Sequence, residues 1–230
     1  DNDHLINEGK PKKVGYLVLS SDRGLAGAYN LNIFNVVEAN IAGKTKDEYE
    51  LFVVGELGRH YFVSQGHEIE QNFQYTVQKP NLSRARIISE TLMEQFNNGE
   101  LDEVYVVYTR MENSMVSEVE TVKLLPLERS AFGEDSIPAN LRREAIQLYP
   151  SVESVMDNIV PNYLTGMIYG CLVEAYASEH NARMQAMQNA TDSATDMLNE
   201  LNITYNRVRQ ADITQELTEI IGGANAQKRK

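Results

Sequence analysis

The chain has 230 residues, with 33 acidic side chains against 21 basic ones and a formal charge of −12. That length allows one sizeable core, or a domain carrying an extended arm, and the acidic balance argues against a nonspecific grip on nucleic acid or anionic lipid. A single cysteine, Cys171, excludes an internal disulfide, and no apolar run approaches the roughly 20 residues of a membrane-spanning helix. The opening DNDHLINEGKPKK has no methionine and no apolar signal-peptide core, the expectation for a piece that begins inside a longer protein.

The first 126 residues alternate strand and helix. Val14–Ser20 (VGYLVLS) is a short run of β-formers and predicts a buried strand. The polar, glycine-containing SDRGLAGAYN makes the turn. Residues 31–42 then place Ile33, Val36, Val37 and Ile41 at helical spacing. Leu51–Val54 is a second buried strand, followed by a short helix over Glu56–Gln65 that Gly66 stops. Ile69–Thr76 reads as a weaker strand. Pro80–Ser83 opens a helix whose apolar face carries Ile87, Ile88, Leu92 and Phe96, with Gly99 beyond its end. Val104–Tyr108 (VYVVY) is the clearest strand, and Val119–Leu125 alternates until Pro126, as an edge strand does. The pattern predicts an α/β fold: a mostly parallel sheet with helices on both faces.

Composition divides the chain into three. Residues 1–126 form the α/β domain, with 1–13 as an N-terminal tail. Residues 127–150, holding Pro138 and Pro150, connect, and only LRREAIQLY within them has helical character. Residues 151–230 read as one long helix. From Tyr163 to Ile221, 59 residues pass without proline, on the order of 90 Å of helix at about 1.5 Å per residue. Pro161 marks its start or a kink, and Gly222-Gly223 is a natural stop. Met187, Ala190, Ala194, Met197, Leu201, Thr204, Val208 and Ala211 follow at spacings 3, 4, 3, 4, 3, 4, 3. That is a coiled-coil seam with small or flexible knobs. No second helix of that pattern occurs in the sequence, so the seam calls for a partner supplied from elsewhere.

Chemistry is sparse. Gly24-Leu25-Ala26-Gly27 lacks the G-x-G-x-x-G spacing of a dinucleotide site, and Glu56 lies too far on to serve as its ribose acid. A tight turn accounts for these glycines. No phosphate-loop pattern occurs. His4, His60, His67 and His180 stand at no metal-ligand spacing. Cys171 reads as a packed thiol, and Ser20-Ser21-Asp22, outside any nucleophile elbow, as a turn cap. These residues predict no catalytic group, no cofactor and no metal. Near the end of the long helix, Arg207 and Arg209 stand beside Gln210, followed by Thr214, Glu216 and Glu219; arginines so placed suit carboxylates on a partner.

Two stretches resemble the γ subunit of F-type ATP synthase. YLVLSSDRGLAGAYN, residues 16–30, is similar to the family's strand–S-[ST]-D-[RK]-G-L-x-G–helix segment. Residues 177–224 contain both the A-S-E-x-x-A-R-M-x-A-M stretch, Ala177 to Met187, and I-T-x-E-x-x-E-x-x-x-G-A at Ile213, Thr214, Glu216, Glu219, Gly223 and Ala224. The resemblance implies a central-stalk rotor and not a catalyst, built on a Rossmann-like domain with a coiled-coil shaft. The implied partners are the α and β subunits of the hexamer, the ε subunit, the c-ring and the family's own N-terminal helix, which this sequence does not contain. The implied work is to couple proton-driven ring rotation to the conformational cycle of the β subunits, at the cytoplasmic face of a bacterial plasma membrane. By motif position, Arg183, Arg207, Arg209, Gln210, Thr214, Glu216 and Glu219 would be coupling contacts to β subunits. Ile213, Leu217, Ile220 and Ile221 would form the apolar shaft tip. A nucleotide-binding α/β enzyme and a generic coiled-coil scaffold are the alternatives.

Overall fold

A computed structural model describes residues 12–113, 116–127 and 152–227. The chain order is β1 (Val14–Leu19), α1 (Tyr29–Ile41), a 3-10 turn (Lys46–Glu48), β2 (Tyr49–Val54), α2 (Glu56–Ser64), α3 (Leu82–Asn97), β3 (Glu103–Met111), β4 (Ser117–Leu125) and α4 (Val152–Gln227). The four strands lie in the order β2-β1-β3-β4. β1 is parallel to both β2 and β3, and β4 closes the sheet antiparallel to β3.

Alternation along the strands sends side chains to two cores. Leu17, Leu19, Phe52, Val54, Val104 and Val106 face one layer, where Ala85, Ile88 and Leu92 of α3 and Leu164, Ile168, Leu172 and Ala175 of α4 cover them. Tyr16, Val18, Leu51, Val53 and Val107 face the other, where Ile33, Phe34 and Val37 of α1 and Phe62 of α2 pack. Helices thus cover both faces, the condition under which parallel strands are stable. β1 and β2, apolar at nearly every position, read as continuous runs for this reason. α3 starts at the Asn81 cap, whose side chain accepts from the Arg84 amide.

Ile69–Thr76 is not a strand. It touches the edge of β2 at separate points: a bridge between Ile69 and Leu51, and a hydrogen bond from Gly55 N to Tyr75 O. The apolar residues here follow burial, with Phe73 inside one core and Tyr75 and Ile69 packed against the two cores, and not a ladder. α4 is longer than its proline-free stretch. It includes Pro161 and passes Gly222-Gly223 to reach Gln227. Glycine costs a helix about 1 kcal/mol per residue relative to alanine, which discourages a helix without forbidding it. The helix expected within 141–149, most of the 127–150 connector and nearly all of the N-terminal tail lie outside the described residues.

The chain divides into two units, Asp1–Met184 and Gln185–Lys230. Composition puts a domain edge at residue 126; packing carries the first unit on through the part of α4 that supplies Leu164–Ala175 to its core. The second unit is the remainder of α4, and from Met187 to Asn225 every described side chain is exposed. Among the described residues, no helix is long and apolar enough to cross a membrane.

Candidate functional site

In an open sheet, ligands bind outside the carboxyl ends of the strands where the strand order reverses. Here that point lies beyond β1 and β3, because β1 leads to β2 on one side while β3 stands on the other. The protein's own helix fills it. Met111 N, at the end of β3, donates to Glu174 Oε1 of α4 at 2.9 Å. Tyr29 Oη, at the start of α1, donates to Ala175 O at 3.0 Å. Ser178 Oγ donates to Thr109 O at 3.0 Å. One further turn along, Arg183 Nε donates to Gly24 O at 3.2 Å and Arg183 Nη2 to Arg23 O at 3.0 Å. The same Nη2 pairs with Glu179 Oε1 at 2.7 Å.

The S-S-D-R-G-L-A-G segment is built around these bonds. Ser20 Oγ donates to Val54 O and accepts from Gly58 N, tying β1 to the start of α2. A side chain at Gly55 or Gly58 would meet Ser20: a Cβ would stand 2.2 Å from Ser20 O at Gly55, where φ is +100°, and 2.3 Å from Ser20 Oγ at Gly58. Ser21 exchanges hydrogen bonds with the Asn30 side chain and donates from Oγ to Arg23 O. Asp22 accepts from Glu56 N and from Thr76 Oγ1. The Ser20–Asp22 triplet therefore caps and braces a turn, as its sequence context predicts. Leu25 sits at the turn's outer edge with φ +63°, and its side chain is 77% exposed.

Glu179 is the buried member of the group, 2% exposed, and its Oε2 has no partner among the described residues. Beside it, the Tyr29 phenol is pushed far above its ordinary value, chiefly by burial and further by the Glu179 carboxylate. The Glu-x-x-x-Arg spacing of Glu179 and Arg183 was the available sequence signal for this pair. What no spacing discloses is the loop, nearly 160 positions upstream, that Arg183 grips.

The other expected coupling residues lie in the second unit. Helical periodicity places Arg207, Gln210, Thr214, Leu217 and Ile221 on one strip and Arg209, Ile213, Glu216 and Ile220 on the strip next to it. The apolar tip residues Ile213, Leu217, Ile220 and Ile221, at spacings of three and four, thus fall within one face of the helix. Thr214 Oγ1 donates to Gln210 O at 2.8 Å, and Gln215 Nε2 to Glu219 Oε1 at 3.0 Å. Neither Arg207 nor Arg209 shares an ion pair with Glu216 or Glu219, the acidic residues nearest them in the motif, because helical spacing does not bring those charges together. The structure separates Arg183 from this group, since its guanidinium is engaged inside the first unit. Among the described residues, no cluster of histidine, cysteine, aspartate or glutamate is arranged to hold a metal ion. The Cys171 thiol is buried, and burial pushes its pKa up to about 12, so it is a packed group and not a nucleophile.

A family model described as ATP synthase matches residues 1–227. The ATP synthase gamma chain of Ruminiclostridium cellulolyticum is 46% identical over 224 residues, covering 96% of this chain and 76% of that protein. The ATP synthase gamma chain of Caldanaerobacter subterraneus is 41% identical over 227 residues, with 96% and 76% covered. In backbone, the chain is similar to a chain in the central stalk and c-ring structure of Tetrahymena thermophila mitochondrial ATP synthase. The TM-score is 0.60 at 22% identity, covering 79% of this chain and 78% of that one, a likeness of fold.

Proposed function

This chain belongs to the ATP synthase gamma-chain family, and we propose that it works as the central-stalk subunit of an ion-gradient-driven ATP synthase, coupling rotation of a c-ring to the conformational cycle of the catalytic β subunits. It is a non-catalytic subunit. The observation that carries the coupling role is the C-terminal part of α4: a heptad seam with Met197 63% and Leu201 59% exposed, on a unit with no core of its own. Such a stripe is stable only against another helix. We assign that place to the family's N-terminal helix, and the surroundings of the paired shaft to the α and β subunits.

Coupling in such an assembly is differential contact. A shaft that met three β conformations with equal free energy would bias none of them. The two strips of the tip differ in the needed way, one carrying Arg207, Gln210 and Thr214 and the other Arg209 and Glu216. The sheet-containing unit is the part offered to the ε subunit and the c-ring. Its ligand crevice is filled by Glu174–Arg183, which favours this reading over a nucleotide-binding enzyme. Membrane association then comes through the complex, at the cytoplasmic face of a bacterial plasma membrane.

The test is reconstitution of the synthase with a gamma chain containing this sequence. Wild type is expected to support gradient-driven ATP synthesis. Arg209→Ala combined with Gln210→Ala is expected to lower synthesis by about fivefold or more, the lower end of a typical coupling free energy. Undiminished synthesis in the double variant would remove these residues from the coupling surface.

A further inference from the structure

We propose that Arg183 is a positioning residue that locks α4 to the β1–α1 turn, and not a residue that reaches a neighbouring subunit. The proposal rests on the central-stalk reading and assigns a different task to one of its expected contact residues.

Three observations carry it. The guanidinium is spent inside its own unit, on Gly24 O, Arg23 O and Glu179 Oε1, and the side chain is only 17% exposed. Its carboxylate partner is buried, so removing the arginine would strand a charge away from water, which is costly. The turn it grips is held from the opposite side as well, through Asp22 to Glu56 N and Thr76 Oγ1 and through Ser21 to Asn30. The turn therefore bridges α4 to the elements that follow β2. Arg183 lies one residue before the end of the first unit.

A helix seated on a sheet by apolar contacts alone resists sliding poorly, because such contacts are non-directional. A planar guanidinium fixed to two carbonyls and a carboxylate is directional. Load entering the sheet is thereby passed to α4 at this point without slippage. On the central-stalk reading, load from the ring enters through the sheet-containing unit and hydrolysis acts where the shaft stands in the hexamer, so loss of the seat is expected to lower gradient-driven synthesis more than hydrolysis.

The experiment uses the fully assembled enzyme. Arg183→Ala is expected to lower the ratio of gradient-driven synthesis to hydrolysis by about fivefold or more, and Arg183→Lys, which keeps the Glu179 pair but loses the fork, to fall between. The decisive variant is Gly24→Cys with Arg183→Cys. A Cβ at Gly24 meets nothing within 4 Å, and Cys171 is buried, so of this sequence's thiols a short bis-maleimide reaches only the two new ones. Before cross-linking the ratio is expected to be low; after it, to recover, because a covalent tie replaces the lost one. A cross-linked enzyme as impaired as the uncross-linked one would overturn the proposal, since it would mean that Arg183 acts on something other than the turn. An unchanged ratio in Arg183→Ala would overturn it too. If the wild-type chain supports no synthesis, the central-stalk reading itself fails, a result distinct from either.

Discussion

The phenol of Tyr29 and the carbonyl of Ala175, 146 positions apart, meet at 3.0 Å and join the first residue of α1 to α4 beneath the β1–α1 turn. Tyr29→Phe keeps the ring in its packing and removes this bond. The expected loss is about 1 kcal/mol, the net worth of one hydrogen bond, read as a lower urea midpoint at unchanged slope. Burial and Glu179 hold the phenol protonated, so the difference between the two proteins should not vary from about pH 6 to pH 9, short of where a free tyrosine titrates.

Gly58 stands where β1 and α2 touch, and Ser20 is what a larger residue would strike. Gly58→Ala is expected to destabilise by about 2–3 kcal/mol through overpacking. A Cβ there lies 2.3 Å from Ser20 Oγ and 2.9 Å from Val53 Cγ1. Ser20→Ala removes the nearer obstacle, so the alanine should cost less in that background. A double-mutant cycle measures the difference; strict additivity would show that Ser20 is not the obstruction.

Glu103 accepts from Lys12 at 2.6 Å and Lys123 at 3.0 Å. Partial burial raises its pKa, but the bonds and charges of the two lysines more than reverse this, leaving it below its ordinary 4.5. A carboxyl with a depressed folded pKa adds stability above the unfolded value and loses it as pH falls through the folded one. The stability of the wild type should therefore decline below pH 4.5, and Glu103→Gln should decline less over that window. Parallel urea titrations of the two proteins make the comparison; identical slopes would exclude Glu103 as a contributor.

Leu201 is exposed at the middle of the seam. Leu201→Gln keeps helix propensity and deletes an apolar knob. In the isolated chain the midpoint should move by no more than about 0.5 kcal/mol, the usual range for a surface change. In the assembled synthase, thermal inactivation should come at a clearly lower temperature. Equal sensitivity in both settings would mean that the seam is covered by the chain itself.

The sheet was legible because β1, β2 and β3 are short apolar runs with turn residues between them, and burial on two faces demands that composition. The seam was legible because its alternation of three and four holds over seven successive spacings, about three and a half heptads. Ile69–Thr76 misled because Ile69, Phe73 and Tyr75 are apolar through packing in irregular backbone, and alternation reports burial before it reports pairing. The end of α4 is only loosely marked in the sequence, because Gly222-Gly223 offers a stop that nothing else there enforces. The grip of Arg183 on Gly24 was illegible for a different reason. A hydrogen bond to a main-chain carbonyl leaves no trace in the identity of the residue that supplies it.

Along the second unit, hydroxyls are turned inward. Thr191, Ser193, Thr195, Thr214 and Thr218 each donate to the carbonyl four residues back. With its donor engaged by its own backbone, each hydroxyl offers a surface gliding over it acceptor lone pairs only. A bearing built against such an axle would have few bonds to break at each step, and would feel chiefly its contour.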